Sequence, residues 1–169
     1  MKSEPDGDSG FSQAGDELPL SGSALRALLQ AVLERGVPFR FRAKGFSMSP
    51  FIKDGDVITV SPLAGVKPRL GDVVAFQRNE SETLVVHRVV GWHGDIIAIQ
   101  GDFLPEADDF VPLASVLGRV EHVERNGRQV RLGLGPERTV IALLTRSGVF
   151  RHVILPIWFR FRRFVRRNP

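Results

Sequence analysis

From Val37 to Leu134 the chain is a succession of short β-prone runs, each closed by a turn signal, and this constrains the fold more than any other feature. Val37, Phe39, Phe41 and Ala43 alternate with Arg40 and Arg42, as a half-buried strand does. Further runs follow at Val57–Val60, Gly71–Phe76, Leu84–Val90, Ile96–Ile99, Val116–Val123 and Gln129–Leu134. Between them stand Asp54-Gly55-Asp56, a loop with Pro62, Gly65 and Pro68, the polar turn Asn79–Glu82, the turn Gly91–Gly94, Gly101-Asp102 and Asn126-Gly127. Residues 103–115 read as an acidic, proline-broken loop. One helix is expected ahead of the strands, over 21–35: Ser21 or Ser23 caps it, Leu25, Leu28, Leu29, Val32 and Leu33 fall at helical spacing, and Gly36 ends it. The fold class is therefore mainly β with one N-terminal helix.

At 169 residues the chain makes one domain plus appendages, long enough for a real core. Residues 1–19 read as a disordered lead, 20–136 as the domain and 137–169 as an Arg-rich amphipathic C-terminal segment. Without cysteine there is neither a disulfide framework nor a thiolate metal site. No phosphate loop, glycosidase-type carboxylate pair or metal-spaced histidine cluster is present, so no cofactor or metal is expected. One early helix is too short for a helix-turn-helix, and no nucleic-acid partner is expected.

Within the β pattern one junction can carry chemistry. Gly45 breaks the first strand, and Ser47 follows with its hydroxyl able to point out of the turn. Pro50 blocks a smooth helical continuation, and Asp54-Gly55-Asp56 leads into the next strand. A serine in a turn is more often a cap than a nucleophile, so this stretch alone does not decide between them.

Gly45-Phe46-Ser47-Met48-Ser49-Pro50 followed by Gly55-Asp56 resembles the serine box of type I signal peptidases, Gly-x-Ser-Met-x-Pro and then Gly-Asp. His87-Arg88-Val89, after a strand, is similar to the histidine box of the endoplasmic-reticulum and archaeal type. The bacterial type has a lysine there. The four lysines here are Lys2, Lys44, Lys53 and Lys67, none on a strand after residue 67, so His87 is the candidate base. Imidazole suits that role because its unperturbed pKa of ~6.5 lies near neutrality. The ordinary alternative is a half-buried strand histidine sharing a face with Val85 and Val89.

Gln100-Gly101-Asp102 resembles the family's Gly-Asp box, which implies Asp102 as a functional acid, with a second acid a few residues later. Spacing favours Asp108 and alignment of the acid pair favours Asp109 as the orienter of the imidazole. The chain departs from the family after that box, with Phe103-Leu104-Pro105 where polar residues are usual. The oxyanion donors are expected to be backbone groups at Ser47 and near Gly45. The three boxes cover roughly residues 37–120, and their order implies the mainly β fold shared by signal peptidases and the self-cleaving SOS-repressor peptidases.

The function implied is a serine endopeptidase for leader or signal-like peptides, working through a Ser–His(–Asp) acyl-enzyme. The alternatives are an inactive peptide-binding module on the same fold and a maturation protease for one dedicated precursor. The N-terminus, acidic and Gly/Ser-rich, has no signal-peptide pattern, and no apolar run approaches the ~20 residues of a spanning helix. From Arg138 to the end there are eight arginines and no acid. Over 150–167, Phe150, Ile154, Ile157, Trp158, Phe161, Phe164 and Val165 fall on one helical face, which predicts an interfacial helix on anionic lipid. A peripheral-membrane or cytoplasmic location is expected.

Overall fold

The computed structural model describes residues 22–78, 83–104 and 109–149. Helix α1 (Gly22–Glu34) is followed by strands β1 (Phe39–Arg42), β2 (Val57–Ser61), β3 (Val73–Gln77), β4 (Leu84–His93), β5 (Ile96–Gln100) and β6 (Asp109–Pro112). A 3₁₀ turn (Leu113–Ser115), β7 (Val116–Arg125), β8 (Arg128–Gln129) and helix α2 (Arg138–Arg146) complete the described chain. The strands form one antiparallel sheet in the order β1-β2-β7-β3-β4-β5-β6, with β8 paired to β7. The protein is mainly β.

The central strand β3 shows why the sheet curls on itself. Val73 and Ala75 on one face join a core with Leu29 and Leu33 of α1, Met48, Ile58 and Val123. Val74 and Phe76 on the other face join Val89, Ile97, Ile99, Val111 and Val116. A strand buried on both faces reads as a continuous apolar run, as residues 73–76 do. Each such side chain taken from water stabilises the fold by about 1.5–3 kcal/mol. The curl brings β1 and β4, which are not neighbours in the sheet, to opposite walls of one cleft.

Three elements differ from the sequence reading. The expected loop 103–115 contains β6, whose Val111 is buried while Phe110 stays 66% exposed. That four-residue alternation, with Pro112 on an edge strand, is too short to stand out in an acidic stretch. The expected strand 129–134 ends at Gln129: Val130 N–H still reaches Val123 O at 2.8 Å, but residues 132–134 form a turn in which Gly133 takes φ +99°. Residues 138–146 form a helix of their own, packed on the domain by Ile141, Ala142 and Thr145. The expected disordered lead and the amphipathic stretch 150–167 lie outside the described residues.

Candidate active site

Ser47 stands in the loop of a hairpin. β1 and β2 pair from Phe39↔Val60 to Arg42↔Val57, and the ladder continues through Ala43 N–H to Asp56 O at 2.8 Å and Gly55 N–H to Ala43 O at 2.9 Å. The loop that remains must turn sharply at residue 45, where φ is +95° and glycine carries no Cβ penalty. Both acids of Asp54-Gly55-Asp56 then fasten it. Asp54 Oδ1 accepts from Gly45 N–H at 2.8 Å. Asp56 accepts from Lys53 N–H at 2.8 Å and takes a two-pronged hold from Arg125 at 2.8 and 2.7 Å. Arg125 also donates to Phe51 O at 3.0 Å. Met48 and Ile52 are buried in the main core, and Phe51 packs with Ile141 and Leu144 behind the loop. A loop held at so many points presents Ser47 from a rigid base, which is what a reacting side chain needs.

His87 comes from β4, buried, with its ring 6.1 Å from that of Phe76. The β4–β5 register pairs Arg88 with Gln100, so Gly101 continues the ladder beside His87. The position a Cβ would take on Gly101 is 2.8 Å from Ser47 O, 3.2 Å from His87 Nε2 and 2.9 Å from Leu104 Cδ1. The missing side chain thus lets the serine loop, the imidazole and the β5 end close on one point. Phe103 N–H fastens the contact by donating to Ser47 O at 2.8 Å. Among the described residues no hydrogen bond joins Ser47 Oγ to His87. Catalytic hydrogen bonds are often long before substrate arrives and tighten in the complex.

Next to His87 on β4, Arg88 points to the opposite face and is fully buried. It donates to Asp102 through Nε and Nη2, both at 2.7 Å, and through Nη1 to Gly71 O and Gly133 O, each at 2.8 Å. Its guanidinium carbon lies 5.4 Å from the centroid of the Phe51 ring. Thr145 of α2 donates to Asp102 Oδ1 at 3.5 Å. Burial pushes the Asp102 carboxyl above the usual carboxylate range, while Arg88, and after it His87 and Thr145, pull it back. The pair ties β4, β5, α2 and two loops into one block under the site.

A cleft of about 240 Å³ opens beside Ser47. Phe41, Ala43, Met48 and Ile52 give it apolar walls, Leu84, Val85 and Val86 close the far side, and Leu25 of α1 forms one end. Lys44 and Lys53 are also in its lining, which contains no acid among the described residues.

The sequence signature of the signal peptidase family, peptidase S26, matches residues 21–130 of this chain. The chain belongs to that family. Comparison with curated proteins gives no match. Membership places the chain among peptidases and supports a serine-type one. The matched span holds Ser47, His87, Gly101 and Asp102, and it ends before α2, which packs behind the serine loop.

Against this family frame the structure brings Ser47, His87 and Gly101 together. Asp102 is adjacent, but Arg88 holds both its carboxylate oxygens, and no hydrogen bond joins it to His87 among the described residues. Gly45 N–H is committed to Asp54, so Gly45's amide is not a ready oxyanion donor, whereas Ser47 N–H makes no hydrogen bond among the described residues. Asp108 lies outside the described residues, and Asp109 is placed by its backbone, paired with Ile99. The sequence places Arg88 in the histidine box, Asp54 in a turn and Leu25 on a helix face, but it gives none of them, nor Arg125, a contact at the site. The one available signal was an arginine inside an apolar strand, a residue that is rarely buried without a partner. Among the described residues no cluster of three or more His, Cys, Asp or Glu side chains could hold a metal ion, and no helix is long and apolar enough to cross a membrane.

Proposed function

We propose that this protein is a serine endopeptidase of the histidine-using kind, acting on extended leader or signal-like peptides. Ser47 is the nucleophile and His87 the base that takes its proton. The hydroxyl oxygen attacks the scissile carbonyl, the leaving amine departs with a proton from His87, and water then releases the acyl-enzyme. Ser47 N–H stabilises the oxyanion. The observation that carries this reading is the convergence of the serine loop and His87 Nε2 on the bare face of Gly101. The substrate enters as an added strand along β1, with small or apolar side chains in the cleft. Asp102 acts as a positioning residue through Arg88, which leaves the orientation of His87 to Asp108 or Asp109.

The second reading, a peptide-binding module without turnover, is favoured by the commitment of Asp102 to Arg88. A serine-reactive acylating probe separates the two. The parent chain gains the mass of one acyl group on the peptide containing Ser47, and Ser47→Ala does not. An unlabelled parent supports the binding module. We also propose that residues 150–167 hold the protein on anionic lipid, on the sequence pattern of arginines and aromatic residues.

A further inference from the structure

On the reading of Ser47 as nucleophile and His87 as base, their two supports must be held at a fixed separation, since a misplacement near 1 Å costs about 10²-fold in rate. Ser47 is carried by the hairpin loop and His87 by β4. The loop closes on the end of β5 at Gly101 and through Phe103 N–H, which donates to Ser47 O at 2.8 Å. Both supports also rest on α2, a helix that begins after the family-matched span has ended.

The serine side rests on α2 through Phe51. Short turns tie this residue to the nucleophile, because Phe51 N–H and Ile52 N–H both donate to Met48 O, at 3.1 and 3.0 Å. The Phe51 ring packs on Ile141 and Leu144, and the Arg88 guanidinium carbon lies 5.4 Å from its centroid. Gly133 closes on the same ring: a Cβ there would stand 2.8 Å from Phe51 Cβ, Cγ and Cδ1. The base side rests on α2 through Asp102, which follows Gly101 in the chain. The Thr145 hydroxyl, on a residue only 3% exposed, donates to Asp102 Oδ1 at 3.5 Å.

Ile141 and Thr145 are four positions apart on α2, so they stand one above the other on the same face. A single turn of helix therefore bears both the serine loop and the β5 end. The helix is itself fixed at each end. Arg138 O lies 2.5 Å from the position a Cβ would take on Gly71, and Arg138 Nε lies 3.3 Å from Asp72 Oδ1. At the other end Arg146 Nη1 is 3.4 Å from the Cβ position of Gly91 on β4. A helix that merely covered apolar surface would gain nothing from a buried hydroxyl, which costs stability unless it is hydrogen-bonded.

We infer that α2 belongs to the active site: Ile141, acting through Phe51, and Thr145, acting through Asp102, are positioning residues that hold the Ser47 loop and the His87 strand at their working separation. The test uses the full chain and a serine-reactive acylating probe, with the labelling step kinact read separately from the reversible affinity KI. Thr145→Val removes the hydroxyl and keeps the shape, and Ile141→Ala frees Phe51. Each lowers kinact about 10-fold to 100-fold and leaves KI within about twofold of the parent's. Thr145→Ser restores the parent rate. Ile141→Ala added to Phe51→Ala is no slower than Phe51→Ala alone, because the two act through one contact. The Phe103 amide reports closure of the loop on β5 without any chemistry, and its deuterium exchange rises at least about tenfold in both variants relative to the amides of β3. Where Ile141→Ala fails to fold, Ile141→Val carries the same comparison.

Parent-like Phe103 exchange in both folded variants overturns the inference. So does an unchanged kinact in a chain whose parent the probe labels, which defeats this inference and leaves the peptidase reading standing. A Thr145→Ser chain as slow as Thr145→Val overturns the role of the hydroxyl. A parent that is never labelled, but whose variants still loosen Phe103, defeats the peptidase reading alone.

Discussion

Arg88 grips both carboxylate oxygens of Asp102 at 2.7 Å, and neither side chain is exposed to solvent. Asp102→Ala leaves a buried guanidinium without its counter-ion, which costs about 3–5 kcal/mol. Arg88→Lys does not conserve the site, because an ammonium cannot match the two-pronged geometry or reach two carbonyls as well. Urea unfolding should show both variants strongly destabilised. A loss below about 1 kcal/mol in Asp102→Ala would mean that the pair does not bind the block together.

Gly101→Ala tests the point on which the site closes. A methyl there would stand 2.8 Å from Ser47 O, a backbone atom that cannot swing aside as a side chain can. Either the serine loop or the β5 end must move. Overpacking of this kind costs about 1–3 kcal/mol. A displacement near 1 Å at the reacting groups slows acylation about 10²-fold. Probe labelling rates on folded protein read the second effect separately from the first, and an unchanged rate would show that Gly101 does not set the spacing.

The loop before α2 depends on one carboxylate. Glu137 Oε1 accepts from Gly133 N–H at 2.7 Å and Gly135 N–H at 3.1 Å. Burial works to raise this carboxyl, but the backbone N–H groups of Glu137, Gly133 and Gly135 and the charge of Arg88 outweigh it and hold it below its ordinary value of 4.5. A lowered carboxyl contributes stability that is present above the ordinary value and lost as pH falls through the folded one. Glu137→Gln should therefore lower stability at neutral pH, by an amount that solvent screening keeps small. Thermal unfolding from pH ~6 to ~3 should show parent and variant converging at the acid end. A gap that stays constant would assign the effect to shape rather than charge.

The sheet was legible because β-branched runs and turn residues mark each strand at its own position, as at Leu84–Val90 and Ile96–Ile99. Ser47 and His87 stand out as candidates because each sits in a short local motif. The hold on Asp102 was not. It comes from a residue fourteen positions away that points to the opposite face from His87, and only the β4–β5 register brings the two together. β6 and α2 were hidden for a similar reason. Val111 and Ile141 stand in apolar runs of only about five residues, and their burial depends on long-range packing that no window of sequence contains.

The C-terminal proposal predicts binding to vesicles. The full chain should float with anionic liposomes at low salt and be released as salt rises. Truncation after Val149 keeps α2 on the domain and should abolish flotation while leaving probe labelling of Ser47 intact. A full chain that stays in the bottom fraction at low salt would sink the lipid proposal.

If Ser47 and His87 act as one unit, peptide hydrolysis by the two single variants and the double variant will show it. Ser47→Ala and His87→Ala should each lower kcat/KM by at least about 10³-fold, with unfolding midpoints close to the parent's, and the double variant should be no worse than either single. Parent-like turnover in either single variant, or losses that multiply in the double, would contradict it.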